Sequence, residues 1–438
     1  MPKGVAEPTG TLERSLSFWQ VTVSGVGIVI GAGIYVLIGE AAKDAGAAVW
    51  LSFLVAALLA AMTGLSYAEL AGMFPTAGAE YEFARRAFNP FTGFMAGWMM
   101  VAANVIAAGA VSIGFAAYLR HFVDIDQRVA SLGLLLALTL IIGAGVQRSI
   151  WLSVALAALQ VGGLLVVIAS GAPHVGDRSL FAGGTTAGVL SGAALVFFAF
   201  IGFDEVVTLS EETRDAERVI PRALLAALAI STVLYMLVGI TAVSVAGADA
   251  LAGSSRPLAL VMEADWGGRA SGIIAVVALA STMNTTLLVL TAASRLIFSM
   301  SRGGALPRTL ATVGRRAHSP YVAAAAAGAL AAVFAVAGNI GFIASVTDFA
   351  VYAIFLAVNG SLIALRFRAP ETRRTFVVPL RWGRLPLIPC GAIGTVMVML
   401  AYIEPKAWFI GAGALALGAG MWLAYGRGYL SRAGTPQS

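Results

Sequence analysis

From about residue 17 to about residue 425 the chain alternates long apolar stretches with short polar punctuation. A helix needs about 20 consecutive apolar residues to cross a bilayer. Twelve stretches meet that measure, roughly 17–38, 49–72, 91–119, 129–146, 149–170, 188–209, 222–246, 270–299, 319–337, 341–366, 385–403 and 406–425. The pattern predicts an all-α integral membrane protein with twelve transmembrane helices. Two of the stretches are broken by glycine at matching places. Span 1 carries Gly25, Gly27, Gly31 and Gly33, and span 6 carries Gly202, half a protein later. Glycine weakens a helix and lets the backbone unwind. At bilayer depth such backbone persists only where it is buried in protein or lines a polar cavity.

Residues 17–170 and 188–366 each hold five spans, and each set begins with its broken member. Five is odd, so the second set enters the membrane with opposite polarity. This predicts a 5+5 inverted repeat with discontinuous helices 1 and 6, and places a ligand site where the breaks meet. Helices 11 and 12, over 385–425, fall outside this symmetry and read as scaffolding or a dimer surface, so monomer and homodimer both stay open. Residues 1–16 and 426–438 form polar tails. The N-terminal tail lacks the basic start, short apolar core and small-residue cleavage site of a signal peptide, which leaves the first apolar segment as span 1.

Composition sharpens the class. The chain is 59% hydrophobic and 11% charged, against about 25% charged in a soluble domain. Its net charge of +6 does not point to nucleic acid, because the basic residues sort by side. Twenty Lys and Arg fall in the tails and even-numbered connections, seven in the odd-numbered ones, and Arg295 lies within span 8. That bias puts both termini on the cytoplasmic side of the cytoplasmic (inner) membrane, with a multi-pass chain in its lipid bilayer. The single cysteine, Cys390, rules out an intrachain disulfide, and His121, His174 and His318 cluster with nothing. No metal site, cofactor, phosphate loop or nucleophile–base motif is expected, so the chain does not read as an enzyme.

The breaks carry the chemistry. If span 1 unwinds at Ile30-Gly31-Ala32-Gly33-Ile34, the half-helix that follows begins with free N–H groups at its positive pole, a cradle for a carboxylate. Close helix packing through Gly27-xxx-Gly31 is the alternative use of the same glycines. In span 6, Phe198-Ala199-Phe200-Ile201 ends the first half-helix, and its free carbonyls suit an ammonium group. Phe200 and Phe203 are placed to close over a bound side chain. A carboxylate pole facing an ammonium pole describes an α-amino acid substrate.

The segment Gly31-Ala32-Gly33-Ile34-Tyr35 resembles the helix 1 signature of the amino acid–polyamine–organocation (APC) superfamily, as does Tyr67-Ala68-Glu69-Leu70 with Pro75-Thr76-Ala77-Gly78-Ala79-Glu80-Tyr81. Phe197 to Asp204, Glu211-Glu212 and Ile220-Pro221-Arg222-Ala223 resemble its cationic amino acid transporter-like branch. Ser294-Arg295, Leu306-Pro307 and Leu365 to Pro370 extend the likeness over nearly the whole chain. The resemblance implies a 5+5 inverted-repeat permease, an amino acid substrate and alternating access. Two positions depart from the branch. After Gly97-Trp98 the chain has Ala102-Ala103-Asn104 where a glutamate is common, which favours a neutral substrate. Gln160 stands where proton-coupled relatives often carry a lysine.

Proton and sodium coupling both stay open. Ala278, Ser281 and Thr282 of span 8 are spaced like the sodium ligands of fold relatives, with carbonyls of Gly27 and Ile30 to complete the set. Hydrogen bonding of those hydroxyls to their own preceding turn is the alternative. Charges inside spans are costly and usually functional. Asp204 and Glu205 follow the second break and read as a coupling group or counter-charge, Asp348 sits in span 10, and Glu69 reads as the partner of a basic loop residue. The expected function is secondary transport of an L-amino acid, neutral in preference, with Asn104, Phe200, Phe203 and Asp348 selecting the side chain. A cationic amino acid or polyamine carrier using Glu205 and Asp204 is the alternative, and a channel is the remote one.

Overall fold

The computed structural model describes residues 16–74, 79–145, 150–209, 213–314 and 319–433. Most of the N-terminal tail, Pro75 to Gly78, Glu211-Glu212, His318 and the last five residues lie outside them. The described residues are mainly helical, with one small hairpin and an isolated bridge between Leu16 and Thr213. The chain begins with α1 (Phe18–Val29), α2 (Gly33–Ala45), α3 (Val49–Met73), α4 (Ala79–Ala87) and α5 (Pro90–Leu119). It continues with α6 (Gln127–Gly143), α7 (Ile150–Gly171), α8 (Thr186–Val196) and α9 (Glu205–Thr208). Then come α10 (Ala216–Ala246), α11 (Ala248–Ala252), α12 (Pro257–Trp266) and α13 (Gly268–Arg302). The last four are α14 (Tyr321–Ala337), α15 (Ile340–Arg368), α16 (Leu387–Tyr402) and α17 (Pro405–Ala433). Among the described residues eight stretches are long and apolar enough to cross a membrane, and α1, α6, α14 and α16 are shorter apolar helices.

Both expected breaks are present. Ile30, Gly31 and Ala32 are non-helical between α1 and α2. In the second, a 3₁₀ turn over Phe197–Phe200 follows α8, and Ile201 to Asp204 run as a turn before α9. Gly202 has φ +111°, a conformation open to glycine and strained for other residues. The two breaks pack on each other. A Cβ on Gly33 would stand 2.5 Å from the Ala199 Cα, and one on Gly202 would stand 3.0 Å from the Ile28 side chain. Glycine at these two positions therefore serves contact between the broken elements as well as unwinding.

Around this centre α13 and α15 pack on α5, and α10 packs on α3 and α1. Helices α16 and α17 pack outside on α15, α3 and α5. The Leu16 carbonyl accepts from the Arg214 amide at 3.1 Å, tying the entry of α1 to the chain beyond α9. Several short elements were not legible in the hydropathy pattern. The segment expected as a plain turn after span 2 contains α4, α11 and α12 lie between α10 and α13, and the basic connection near residue 380 folds a hairpin of β1 (Arg381–Trp382) and β2 (Leu385–Pro386). Helix α10 also starts before the expected 222, with Pro221 inside its first turns.

The same connection is pinned from below. Glu69, wholly buried in α3, meets Arg366 at 2.5 Å and Arg374 at 3.1 Å, and accepts from the Val378 amide at 2.8 Å. A buried carboxylate needs such partners, because its desolvation otherwise outweighs its packing.

Candidate functional site

Backbone groups freed by unwinding at this depth each need a partner, and tracing those partners builds the site. In the first break the Ile30 amide donates to Val26 O at 2.8 Å and the Gly31 amide to Val29 O at 2.7 Å. The next amide, Ala32, donates to the Thr285 hydroxyl of α13 at 3.2 Å. On the carbonyl side, the Gln160 amide nitrogen of α7 donates to Ile30 O at 2.6 Å and lies 3.3 Å from Gly27 O, in the side-chain orientation that satisfies both groups. The Tyr235 hydroxyl of α10 lies 2.7 Å from Val29 O and 2.9 Å from Ala199 O, so one side chain caps both breaks. Tyr35 donates to the Gln160 carbonyl at 2.7 Å and Tyr118 to the Tyr35 carbonyl at 2.6 Å, fixing the start of α2 against α7 and α5.

In the second break Ile201 N donates to Phe198 O at 3.2 Å, Gly202 N to the Asp204 carboxylate at 3.1 Å and Glu205 N to Gly202 O at 3.1 Å. The Asp204 side chain thus shapes the turn that carries it.

A cavity of about 110 Å³ adjoins the second break and the end of α1 just before the first. Ile28 of α1 and Ile201, Gly202, Asp204 and Glu205 of the second break form one side. Asn104 and Ala107 of α5, Thr285 and Leu288 of α13, and Val351 and Phe355 of α15 are among the residues opposite. On the α2 side of the breaks only about 10 Å³ is left, against Ala32, Gly33 and Phe198. A larger depression of about 650 Å³, beside Arg120, Asp124 and Arg128 at the α5–α6 turn, is remote from the breaks and open to the surface. The small central cavity is the one with chemistry converging on it.

The expected residues divide by this geometry. Ile30, Gly31 and Ala32 form the first break, Gly33 and Ile34 open α2, and Phe198, Ala199 and Ile201 belong to the second break. Asn104 lines the cavity and donates to Met100 O at 3.0 Å. Asp204 and Glu205 line it as well. Phe200 and Phe203 are not among its lining residues. Both are wholly buried, Phe200 with its ring centroid 5.1 Å from Tyr235, and Phe203 5.6 Å from Tyr67 and from Phe355. Asp348 is wholly buried one turn before Tyr352 and lines neither central void.

The three backbone carbonyls considered for sodium accept from protein donors. Gln160 serves Gly27 and Ile30, and Thr282 donates to Ala278 O at 2.8 Å. Ser281 is wholly buried beside them. No grouping of His, Cys, Asp and Glu suited to a metal occurs among the described residues.

Thr285 and Tyr235 were not singled out from the sequence. Ala278, Ser281 or Thr282, and Thr285 recur at helical spacing, so the small polar stripe of span 8 extends one turn further than the sodium reading took it. Tyr235 offers no comparable signal, being a single tyrosine in an apolar span.

Known proteins share this chain's sequence along nearly its full length. The family profile described as amino acid permease matches residues 16–426. The branched-chain amino acid permease BcaP of Bacillus subtilis (strain 168) is 30% identical over 87% of this chain and 86% of its own. The methylthioribose transporter of the same organism is 28% identical over 95% of this chain and 94% of its own. Cationic amino acid transporter 4 of Mus musculus is 29% identical over 82% of this chain and 60% of its own. With two broken helices packed together beside a central cavity and a profile match over residues 16–426, the chain belongs to the amino acid permease family, within the APC superfamily.

Proposed function

We propose that this protein carries a neutral, aliphatic L-amino acid across the cytoplasmic membrane by secondary active transport. The observation that carries the reading is a cavity walled by the second break, by Ile28 just before the first, and by Thr285, which holds the Ala32 amide of the first. Its walls are mainly apolar, from Ile28, Met100, Leu288, Val289, Val351 and Ile354, and suit a hydrocarbon side chain. The first N–H groups of α2, from Ala32, Gly33 and Ile34, receive the carboxylate. The ammonium group goes to the carbonyl end of the second break, at Phe200 and Ile201, with Asn104 opposite. The similarity to a branched-chain amino acid permease agrees with this choice.

In this reading the chain crosses the membrane twelve times. The pairs α1–α2 and α8–α9 are the discontinuous helices 1 and 6 of two inverted five-helix repeats, and α16 and α17 lie outside them. Both termini are cytoplasmic. The larger void on the α1 side and the nearly closed α2 side then correspond to an inward-facing state. Alternating access proceeds by gating around the fixed central site. Coupling by sodium at Gly27, Ile30 and Ala278 is disfavoured, because Gln160 and Thr282 already serve those oxygens. Gln160 is uncharged at every working pH, which leaves Asp204 and Glu205 as the groups for coupling or counter-charge.

Their position in the cavity wall favours a second reading, a carrier of cationic amino acids or polyamines. Uptake into proteoliposomes separates the two. Saturable uptake of leucine or alanine, little affected by excess arginine or putrescine, supports the neutral carrier. Uptake of arginine or putrescine that is lost in Glu205→Gln, with none of leucine, establishes the second reading in its place.

A further inference from the structure

We propose that Thr285 is a specificity residue for the substrate carboxylate, holding its binding amide while the site is empty and hydrogen-bonding the carboxylate when the site fills. The inference rests on the amino acid reading above.

Thr285 sits on α13, 253 residues from Ala32 in sequence, and its hydroxyl accepts the Ala32 N–H at 3.2 Å. The neighbouring hydroxyls of α13 behave differently. Thr282, Thr286 and Thr291 each donate to a carbonyl one turn back on their own helix, at 2.8, 2.8 and 2.7 Å. Thr285 reaches across to another element, and it also forms part of the cavity wall. The contact is made possible by Gly31, where a Cβ would stand 2.9 Å from the Thr285 hydroxyl oxygen. A side chain there would crowd the Thr285 hydroxyl and turn it from the Ala32 N–H.

A hydroxyl is both donor and acceptor and rotates to suit its partner. Facing the Ala32 N–H it acts as acceptor. That matters at bilayer depth, where an amide without a partner is costly. A carboxylate entering the cavity is the stronger acceptor for the same N–H, and charge-assisted hydrogen bonds are about twice as strong as neutral ones. When the carboxylate takes over the amide, the Thr285 hydroxyl turns and donates to a carboxylate oxygen. One side chain thus serves the empty and the filled state, and it joins α13 to the moving break in both. A substrate with a carboxamide in place of the carboxylate gains less from either donor, so Thr285 sharpens selection for the acid.

The test measures binding of L-leucine and of L-leucinamide to purified protein, in wild type, Thr285→Val, Thr285→Ala and Thr285→Ser, with the ligand-free Tm of each recorded. Wild type binds leucine more tightly than leucinamide. Thr285→Val weakens leucine about tenfold or more and leucinamide less than twofold, so their ratio shrinks; Thr285→Ala does the same and Thr285→Ser retains the ratio. Equal weakening of both ligands, or leucine affinity within twofold of wild type in both Val and Ala variants, overturns the proposal. Absence of leucine binding to wild type instead overturns the reading on which it rests.

Discussion

Gly33 and Ala199 meet across the two helix breaks so closely that a Cβ on Gly33 would lie 2.5 Å from the Ala199 Cα. The obstacle is backbone, which cannot rotate aside as a side chain can. Gly33→Ala is therefore expected to force the breaks apart, at an overpacking cost of about 1–3 kcal/mol, and to abolish most uptake. Gly162→Ala is the control. Nothing lies within 4 Å of a Cβ there, and alanine in mid-helix is favoured over glycine by about 1 kcal/mol. Tm and uptake measured on both variants check the pair, with Gly162→Ala as stable as wild type or more so.

Gln160 supplies an uncharged donor to the carbonyls of Gly27 and Ile30. Gln160→Ala leaves them without it, and the expected loss is about 1–3 kcal/mol of stability. Wild-type uptake is expected to be the same in sodium and in choline media. A Gln160→Ala variant with wild-type Tm, or sodium-dependent uptake by wild type, contradicts this assignment.

The break positions were legible because glycine spacing records backbone need directly. Gly31, Gly33 and Gly202 mark places where the chain unwinds or another backbone passes within contact distance. Side-chain direction was less legible. Phe200 and Phe203, expected to close over a bound side chain, pack on Tyr235, Tyr67 and Phe355 and are not among the residues lining the cavity. Thr285 and Tyr235 owe their roles to partners more than 30 residues away along the chain, which local pattern does not encode. Glu69 is intermediate. Its burial made a basic partner necessary, while the choice of Arg366 and Arg374 follows from how the connection after α15 folds back.

That cluster predicts a large effect. Glu69 is wholly buried and the Arg366 side chain is 6% exposed, so removing the carboxylate leaves buried cations without their counter-charge. Glu69→Ala is expected to cost about 3–5 kcal/mol, read as a lowered Tm and a connection opened to proteolysis near Arg374. A Tm within error of wild type contradicts it.

Beyond the end of α7, His174 bridges two acids, Asp265 at 2.9 Å and Asp177 at 3.1 Å. Asp265 also accepts from the Ser170 hydroxyl at the end of α7, so the cluster ties α7 to α12. Hydrogen bonding to Asp265, then to Asp177, raises the imidazole above its ordinary value. The Ser170 hydrogen bond, followed by that of His174, lowers Asp265. The histidine contribution is present below about pH 6.5 and lost as pH rises through the raised value. The aspartate contribution is present above about pH 4 and lost as pH falls through the lowered value. The Tm advantage of wild type over His174→Gln is therefore expected to peak between about pH 4 and 6.5 and to fade at higher pH. A difference that is flat from pH 5 to pH 8 contradicts the assignment.

If backbone at the two breaks holds the substrate, a cryo-electron microscopy structure of the protein with bound L-leucine will show it. Ligand density is expected in the cavity, with the carboxylate within hydrogen-bond reach of the Ala32, Gly33 or Ile34 N–H groups and the side chain against Val289 and Ile354. Leucine bound elsewhere, or bound in the cavity with its carboxylate turned away from the start of α2, would contradict it.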